Sequence, residues 1–227
     1  MAKLTVTIDG PAASGKSTVA RRLAKRLGAA FLDTGAMYRV VTLAAVRDGT
    51  RLEDEDQLLD AIGGHRFDFE AGVGRMRVRL DGQDVTEAIR DNELTGRVRH
   101  AASAPRVREK LVEMQRAFAA DHEKIVTEGR DQGTVVFPDA PAKFFLTASA
   151  AERVRRRKAE LDAGGQCADF EQILSEIEAR DRSDEDREVG PLKPASDALR
   201  VDTTGLSIEQ VVERIHHLVE EQCRRNA

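Results

Sequence analysis

The sequence predicts an α/β fold, a three-layer sandwich with a central parallel sheet of about five strands and helices on both faces. Three observations carry this. Short β-branched and aromatic runs alternate with helix-spaced segments along nearly the whole chain, the order that gives a parallel sheet covered on both sides. A Gly-rich loop stands between the first such strand and the first helix. The chain has 227 residues and one stretch of different character, which suits a single domain carrying an insert.

The elements follow in order. Leu4-Thr-Val-Thr-Ile8 is a β-branched strand, and Gly10 to Ser17 is a loop. Ser17 to Leu27 is a helix with Val19, Leu23 and Leu27 on one face and Gly28 as its stop. A strand around Ala30–Leu32 leads through the Gly35 turn to a helix from about Ala36 to Arg47. Residues 52–93 change character. They open helically at Leu58, Leu59 and Ile62. Two alternating strands follow, His65–Phe69 and Arg75–Leu80, with Asp81-Gly82 as a hairpin signal. A helical block from Asp91 to Ala120 is interrupted near Pro105. Lys124–Thr127 and Lys143–Thr147 are further strands. Ser149 and Glu152 form a capping box that opens a basic helix. A charged helix runs from about Asp169 to Arg187, ended by Pro191 and Pro194. Ala198–Asp202 is the last strand. Ser207 and Gln210 cap a final helix with Ile208, Val211, Val212, Ile215 and Val219 on its apolar stripe.

Composition narrows the function. The net charge of −4, with eight Phe, one Tyr and no Trp, argues against a strongly basic nucleic-acid binder and against base-stacking platforms. No stretch approaches the ~20 apolar residues of a membrane span, and the N-terminus lacks the apolar run of a signal peptide. Cys167 and Cys223 lie far apart without ligand spacing, as expected of free thiols in a reducing compartment. A cytoplasmic protein is expected. It should act as a monomer on small molecules, without nucleic-acid or membrane partners.

Gly10-Pro-Ala-Ala-Ser-Gly15-Lys16-Ser17 fits G-x-x-x-x-G-K-[ST], and each part has a physical use. The glycines let backbone N–H groups turn inward around phosphate oxygens. The helix that follows aims its N-terminal dipole at the same anion. Lys16 is placed to reach the β- and γ-phosphates, and the Ser17 hydroxyl to hold Mg²⁺. The chain is therefore expected to bind ATP or a related triphosphate.

Phosphoryl transfer also needs positive charge where the transferred group passes. Arg39 follows Gly35-Ala-Met-Tyr38, Arg108 lies just after Pro105, and Arg130 sits in Gly129-Arg-Asp-Gln-Gly-Thr134 beyond a strand. The carboxyl ends of α/β strands are where such folds bind ligands. Arg180, Asp184 and Arg187 have i, i+4, i+7 spacing and are expected on one helix face. They read as a solvated face or as a substrate grip. Arg153, Arg155, Arg156 and Arg157 read likewise as a solvated face or as a lid over ATP, with an RNA-binding patch a weaker third reading given the net charge and few aromatics. Asp9 and Asp33 beside the loops are either holders of Mg²⁺ or its waters, or local turn caps.

These stretches together resemble the bacterial cytidylate kinase family of P-loop nucleoside monophosphate kinases. The matching segments are Ile8–Ser17, Leu32–Arg39, Pro105–Arg108, Glu128–Pro138 and Arg180–Arg187 with Pro191-Leu192. Ala198–Thr204 and Leu206–Gln210 also match. The Gly-Arg-Asp-x-Gly-Thr block is the most specific. The resemblance implies one P-loop kinase domain over 1–227, with a monophosphate-binding insert at 52–93 and a helical lid at 150–190. It implies ATP-dependent phosphorylation of CMP or dCMP with Mg²⁺. Gly10, Pro11, Ala12, Ala13, Ser14, Gly15, Lys16, Ser17 and Thr18 would bind ATP, with Arg156 on the ATP side of the lid. Lys16, Arg130 and Arg187 would act in transfer. Arg39 and Arg130 would hold the monophosphate, while Thr34, Arg180 and Asp184 would hold the sugar. Arg187 would sit near the base and the phosphates. Arg108 and Asp131 would face the pyrimidine.

The sequence departs from the family at Arg99, where a base-contacting Ser is usual. Either the base is held differently or the alignment carries a gap that brings Ser103 into play. Ser183 and Glu185 stand where the family is often basic. A kinase for UMP or AMP is the nearest alternative. A GTPase switch would need Asn-Lys-x-Asp, which is missing. A nucleic-acid motor would need a longer apolar run ending in an acidic pair than Lys124–Glu128 provides.

Overall fold

A computed structural model describes residues 4–72, 74–166 and 168–225, without the side chains of 92 and 223–225. The expectation for Cys167 and the Cys223 thiol therefore lies outside the described residues.

The strands are β1 Leu4–Asp9, β2 Ala30–Asp33, β3 Phe67–Gly72, β4 Arg75–Leu80, β5 Gln83–Asp84, β6 Lys124–Gly129, β7 Ala142–Thr147 and β8 Leu199–Asp202. The helices are α1 Lys16–Leu27, α2 Thr34–Arg47, α3 Glu55–Gly64, α4 Asn92–Ser103, α5 Pro105–Ala120, α6 Ala150–Ala163, α7 Phe170–Glu185 and α8 Ile208–Arg225. A five-stranded sheet has the order β2-β6-β1-β7-β8, and β3-β4-β5 form a second, three-stranded sheet. The expected five-stranded parallel sheet is present. The chain divides into two compact units, one of Ala24–Thr127 and one of Leu4–Leu23 with the residues from Glu128 onward.

Burial explains why the central strands carry no alternation. β1 is buried from Thr5 to Asp9, and β6 from Ile125 to Gly129. A strand covered on both faces has no polar side to show. β1 pairs in parallel with β7 (Val6 opposite Ala142), and β7 with β8 (Leu146 opposite Val201). β8 lies at the edge of the order and buries only Val201. β4 does alternate, with Met76, Val78 and Leu80 buried and Arg75 and Arg77 exposed. That is the pattern of a sheet with one solvated face.

Polar side chains close the helix ends. Asp33, Asp54, Asp91 and Asp169 each accept from a backbone N–H in the first turn of α2, α3, α4 and α7. Ser207 and Gln210 form the reciprocal box at α8, at 2.8 and 3.2 Å. The box expected at α6 is half formed. Ser149 Oγ accepts from Glu152 N at 3.3 Å, but Ser149 N donates to Thr204 Oγ1 and the Glu152 carboxylate holds Arg155 and Arg156. Two arginines outcompete one amide for that carboxylate. No helix among the described residues is long and apolar enough to cross a membrane.

Two boundaries differ from expectation. The first strand of the small sheet begins at Phe67, not His65. His65 is held by carboxylates at both ring nitrogens, Asp81 at 2.6 Å and Asp48 at 3.0 Å. The Asp81-Gly82 turn has φ of 51° and 81° and joins β4 to β5, as positive φ at both positions of a two-residue hairpin requires. The second difference is at α7, which ends at Glu185 with Asp186 as its cap. Arg187 therefore lies beyond the helix and not on its face.

His65 makes a pH prediction. Hydrogen bonds to Asp81 first and Asp48 next raise its pKa above the ordinary 6.5. A raised folded-state pKa stabilises the protein fully below 6.5, and that contribution disappears as pH rises through the folded value. Thermal unfolding of wild type and His65→Ala should therefore differ most in acid and converge in base. A Tm difference independent of pH would refute the charged clamp.

Candidate active site

The second unit turns the Gly10–Ser17 loop tightly between β1 and α1. Gly10 has φ 155°, and a Cβ there would stand 2.3 Å from the Leu146 carbonyl oxygen, so only glycine fits. Ala13 holds φ 57°, a left-handed conformation unusual for a residue with a Cβ. Lys16 opens α1, is buried, and donates from Nζ to Pro11 O at 3.1 Å. Burial first, then the positive charge of Arg130, pushes its ammonium down to about 7. Ser17 Oγ donates to Glu128 Oε1 at 2.8 Å.

Glu128 is a site residue the sequence reading passed over. Its signal was available, since an acid ending a buried strand must have a partner. It is buried at the end of β6, and its charge acts on both Lys16 and Arg130.

Of the arginines expected around the cradle, Arg130 and Arg187 meet on one carboxylate in this unit. Arg130 Nε donates to Asp184 Oδ2 at 2.5 Å, and Arg187 Nη2 donates to the other oxygen of the same carboxylate. Asp184 is buried between them. Arg180 is exposed, with its charge felt at Lys16. Asp131 is buried beside Arg130 and opens a single π-turn, Gln132–Val136.

The four-arginine run on α6 divides in two. Arg156 reaches Ser14 O and Thr203 O at 3.0 and 2.8 Å, and Arg153 reaches Ala12 O and pairs with Asp181. Asp181 in turn accepts from Ala12 N at 3.1 Å. These residues brace the phosphate loop. Arg155 and Arg157 pair with Glu152 and Glu160 on the solvated side. The solvated-face reading thus holds for Arg155 and Arg157, while Arg153 and Arg156 turn to the Gly10–Ser17 loop.

The first unit carries the remaining candidates. Thr34 is buried at the start of α2. Arg39 lies one turn on, with Nη1 2.8 Å from where a Gly35 Cβ would stand, so Gly35 leaves room for it. Arg108 is buried, donates to Ala102 O at 3.2 Å and lies 5.7 Å over the Tyr38 ring. Arg99 and Ser103 are both exposed. Asp33 caps α2 through Ala36 N at 2.9 Å and pairs with Arg90 at 3.1 Å. Asp9 accepts from two backbone amides, Gln132 N at 2.9 Å and Gly133 N at 2.8 Å. Both aspartates are engaged as caps.

Within the second unit, a buried lysine on a glycine-turned loop, a Ser17–Glu128 hydroxyl–carboxylate pair, and Arg130 and Arg187 on one buried carboxylate carry the charges that phosphoryl transfer needs. The class is that of the P-loop phosphotransferases. The cytidylate kinase family model matches residues 6–221, and the chain belongs to that family. The cytidylate kinase of Pseudomonas syringae pv. tomato is 50% identical over 212 residues, 92% of each chain. That of Rhodococcus jostii is 46% identical over 220 residues, covering 97% of this chain and 96% of the relative. Among solved structures, a putative kinase from Chloroflexus aurantiacus aligns over 96% of this chain and 97% of its own, at 16% identity and a TM-score of 0.45.

Proposed function

We propose that the protein transfers the γ-phosphoryl group of ATP to CMP or dCMP, giving CDP or dCDP and ADP. The observation that carries this is the nearness of Arg130, whose side chain is 14% exposed, to the buried Lys16, close enough for its charge to push the Lys16 ammonium down. Those two cations would bracket the phosphoryl group as negative charge shifts from ATP to the acceptor. No general base is called for, because the acceptor monophosphate is already mostly a dianion near pH 7, its second pKa being about 6.

Gly10 to Thr18 would bind ATP. Arg156 would act on it indirectly, by bracing Ser14 O. Arg39 and Arg130 would hold the monophosphate, and Arg187 would lie by the base and the phosphates. Thr34, Arg180 and Asp184 would hold the sugar. Arg108 and Asp131 would read the pyrimidine. The 52–93 segment is proposed as the monophosphate-binding insert and 150–190 as the lid, the whole acting as a monomer in the cytoplasm.

Mg²⁺ fits the residues present. Ser17 Oγ and the Glu128 carboxylate are hard oxygen donors already in contact, and Mg²⁺ favours one or two such groups together with substrate phosphates. Among the described residues no group of three or more His, Cys, Asp or Glu forms a ready-made cage. The ion would neutralise charge on the β- and γ-oxygens.

Base choice has a physical basis. Cytosine offers an N4 amino donor where uracil offers an O4 acceptor. A carboxylate at Asp131 accepts from the first and repels the second. ADP release with CMP, dCMP, UMP, AMP and GMP offered singly should be fastest with the two cytidylates. Asp131→Asn should shrink the CMP-to-UMP ratio of kcat/KM at least ~10-fold, since one mismatched buried polar contact discriminates strongly. Equal use of UMP by wild type would leave a kinase but discard this base site. ADP release indifferent to every monophosphate would refute the proposed reaction.

A further inference from the structure

Asp9 ends β1 one residue before the phosphate loop, yet its carboxylate points to a different loop. Oδ1 accepts from Gln132 N and Oδ2 from Gly133 N, at 2.9 and 2.8 Å. Those two amides open the π-turn that follows Arg130 and Asp131. Asp9 as a residue is 3% exposed. Burying a carboxylate is unfavourable unless its oxygens are satisfied, and two amide donors answer that need. Burial still pushes the group up to about 7.

The other side of the junction is equally tight. A Cβ at Gly133 would stand 3.1 Å from Thr7 Oγ1, 3.4 Å from Lys143 Cδ and 3.5 Å from Asp9 Oδ2. Gly133 is therefore the residue that lets the loop approach β1 closely enough for its amide to reach Asp9. The loop bearing Arg130 and Asp131 is in this way pinned to the strand that bears the phosphate loop and Lys16.

We propose that Asp9 is a positioning residue for the reaction: by holding the amides of Gln132 and Gly133 it sets where Arg130 stands relative to Lys16 and how Asp131 presents its carboxylate to the base. The proposal rests on the roles given above to Arg130 and Asp131. It differs from a metal-holding role in what it asks of the carboxylate, namely that each oxygen hold one backbone amide of the turn.

The test uses Asp9→Asn and Gly133→Ala, with wild type alongside. An Asn side chain has one oxygen for two amide donors and turns its own N–H₂ toward one of them. The measurements are kcat and KM for ATP, CMP and UMP, with Tm. Small misplacements at a reacting centre are costly, so kcat should fall at least ~10-fold in each variant while the KM for ATP stays within ~3-fold. The CMP-to-UMP ratio should fall with kcat, which a loss of stability alone would not cause. A variant with lower Tm but normal kcat and normal ratio would overturn the proposal and leave Asp9 a turn cap. Should Asp9→Asn fail to fold, Gly133→Ala decides by the same criteria, with the carboxylate intact. If wild type itself does not prefer CMP, the Asp131 base reading fails separately, and unchanged kcat in the variants still overturns the role of Asp9.

Discussion

Lys16→Ala is expected to lower turnover at least ~100-fold, the scale of losing one contact made in the transition state. The ammonium is buried and donates to Pro11 O. Alanine leaves the cradle's backbone amides in place, so ATP should still bind, more weakly, while kcat takes most of the loss. Lys16→Arg should not restore the rate, because a planar fork does not replace a compact point charge in so closed a space. Coupled measurement of ADP and CDP formation checks both. Near-normal turnover in the alanine variant would remove Lys16 from the mechanism.

Arg130→Ala is expected to cost at least ~100-fold as well, on the same grounds, but with a different signature. Arg130 shares the Asp184 carboxylate with Arg187. Its removal takes one of two cations from a buried acid, so stability should fall together with activity. If Arg130 holds the monophosphate, KM for CMP should rise while KM for ATP moves little. Arg130→Lys keeps the charge but loses the paired N–H geometry, and should fall between wild type and alanine. A rise confined to the ATP KM would place Arg130 on the wrong side of the reaction.

The parts of this fold that were legible in the sequence are those governed by neighbours along the chain. The strand–loop–helix around Gly10 to Ser17, the cap at Ser207, and the left-handed Asp81-Gly82 turn are all local chemistry. What escaped is set by contacts across long stretches of sequence. Ser17 meets Glu128 over 111 positions, Asp9 meets Gln132 over 123, and Ala12 meets Asp181 over 169. No periodicity announces such pairs. The run Arg153 to Arg157 shows the same limit, since its helical spacing was visible but the side of α6 that would meet the phosphate loop was not. His65 shows it for a strand: alternation favoured extending β3, and two carboxylates outside the sheet claimed the ring instead.

The helices α6 and α7 rest on a small apolar cluster of Val154, Ile173 and Ile177, with Ala13 of the phosphate loop packed against it. Even with Leu161, Ala168 and Leu174 also packed against it, so small a cluster contributes little against the conformational entropy of two helices. This helical pair does not stand by itself. Its order is borrowed from the loop it touches, through Ala13 and through the Asp181 bond to Ala12 N. A nucleotide held by the loop, as proposed above, would stiffen the pair with it, and by reciprocity a loosened pair would weaken the nucleotide. Affinity and local cooperativity are in this way two readings of one free energy.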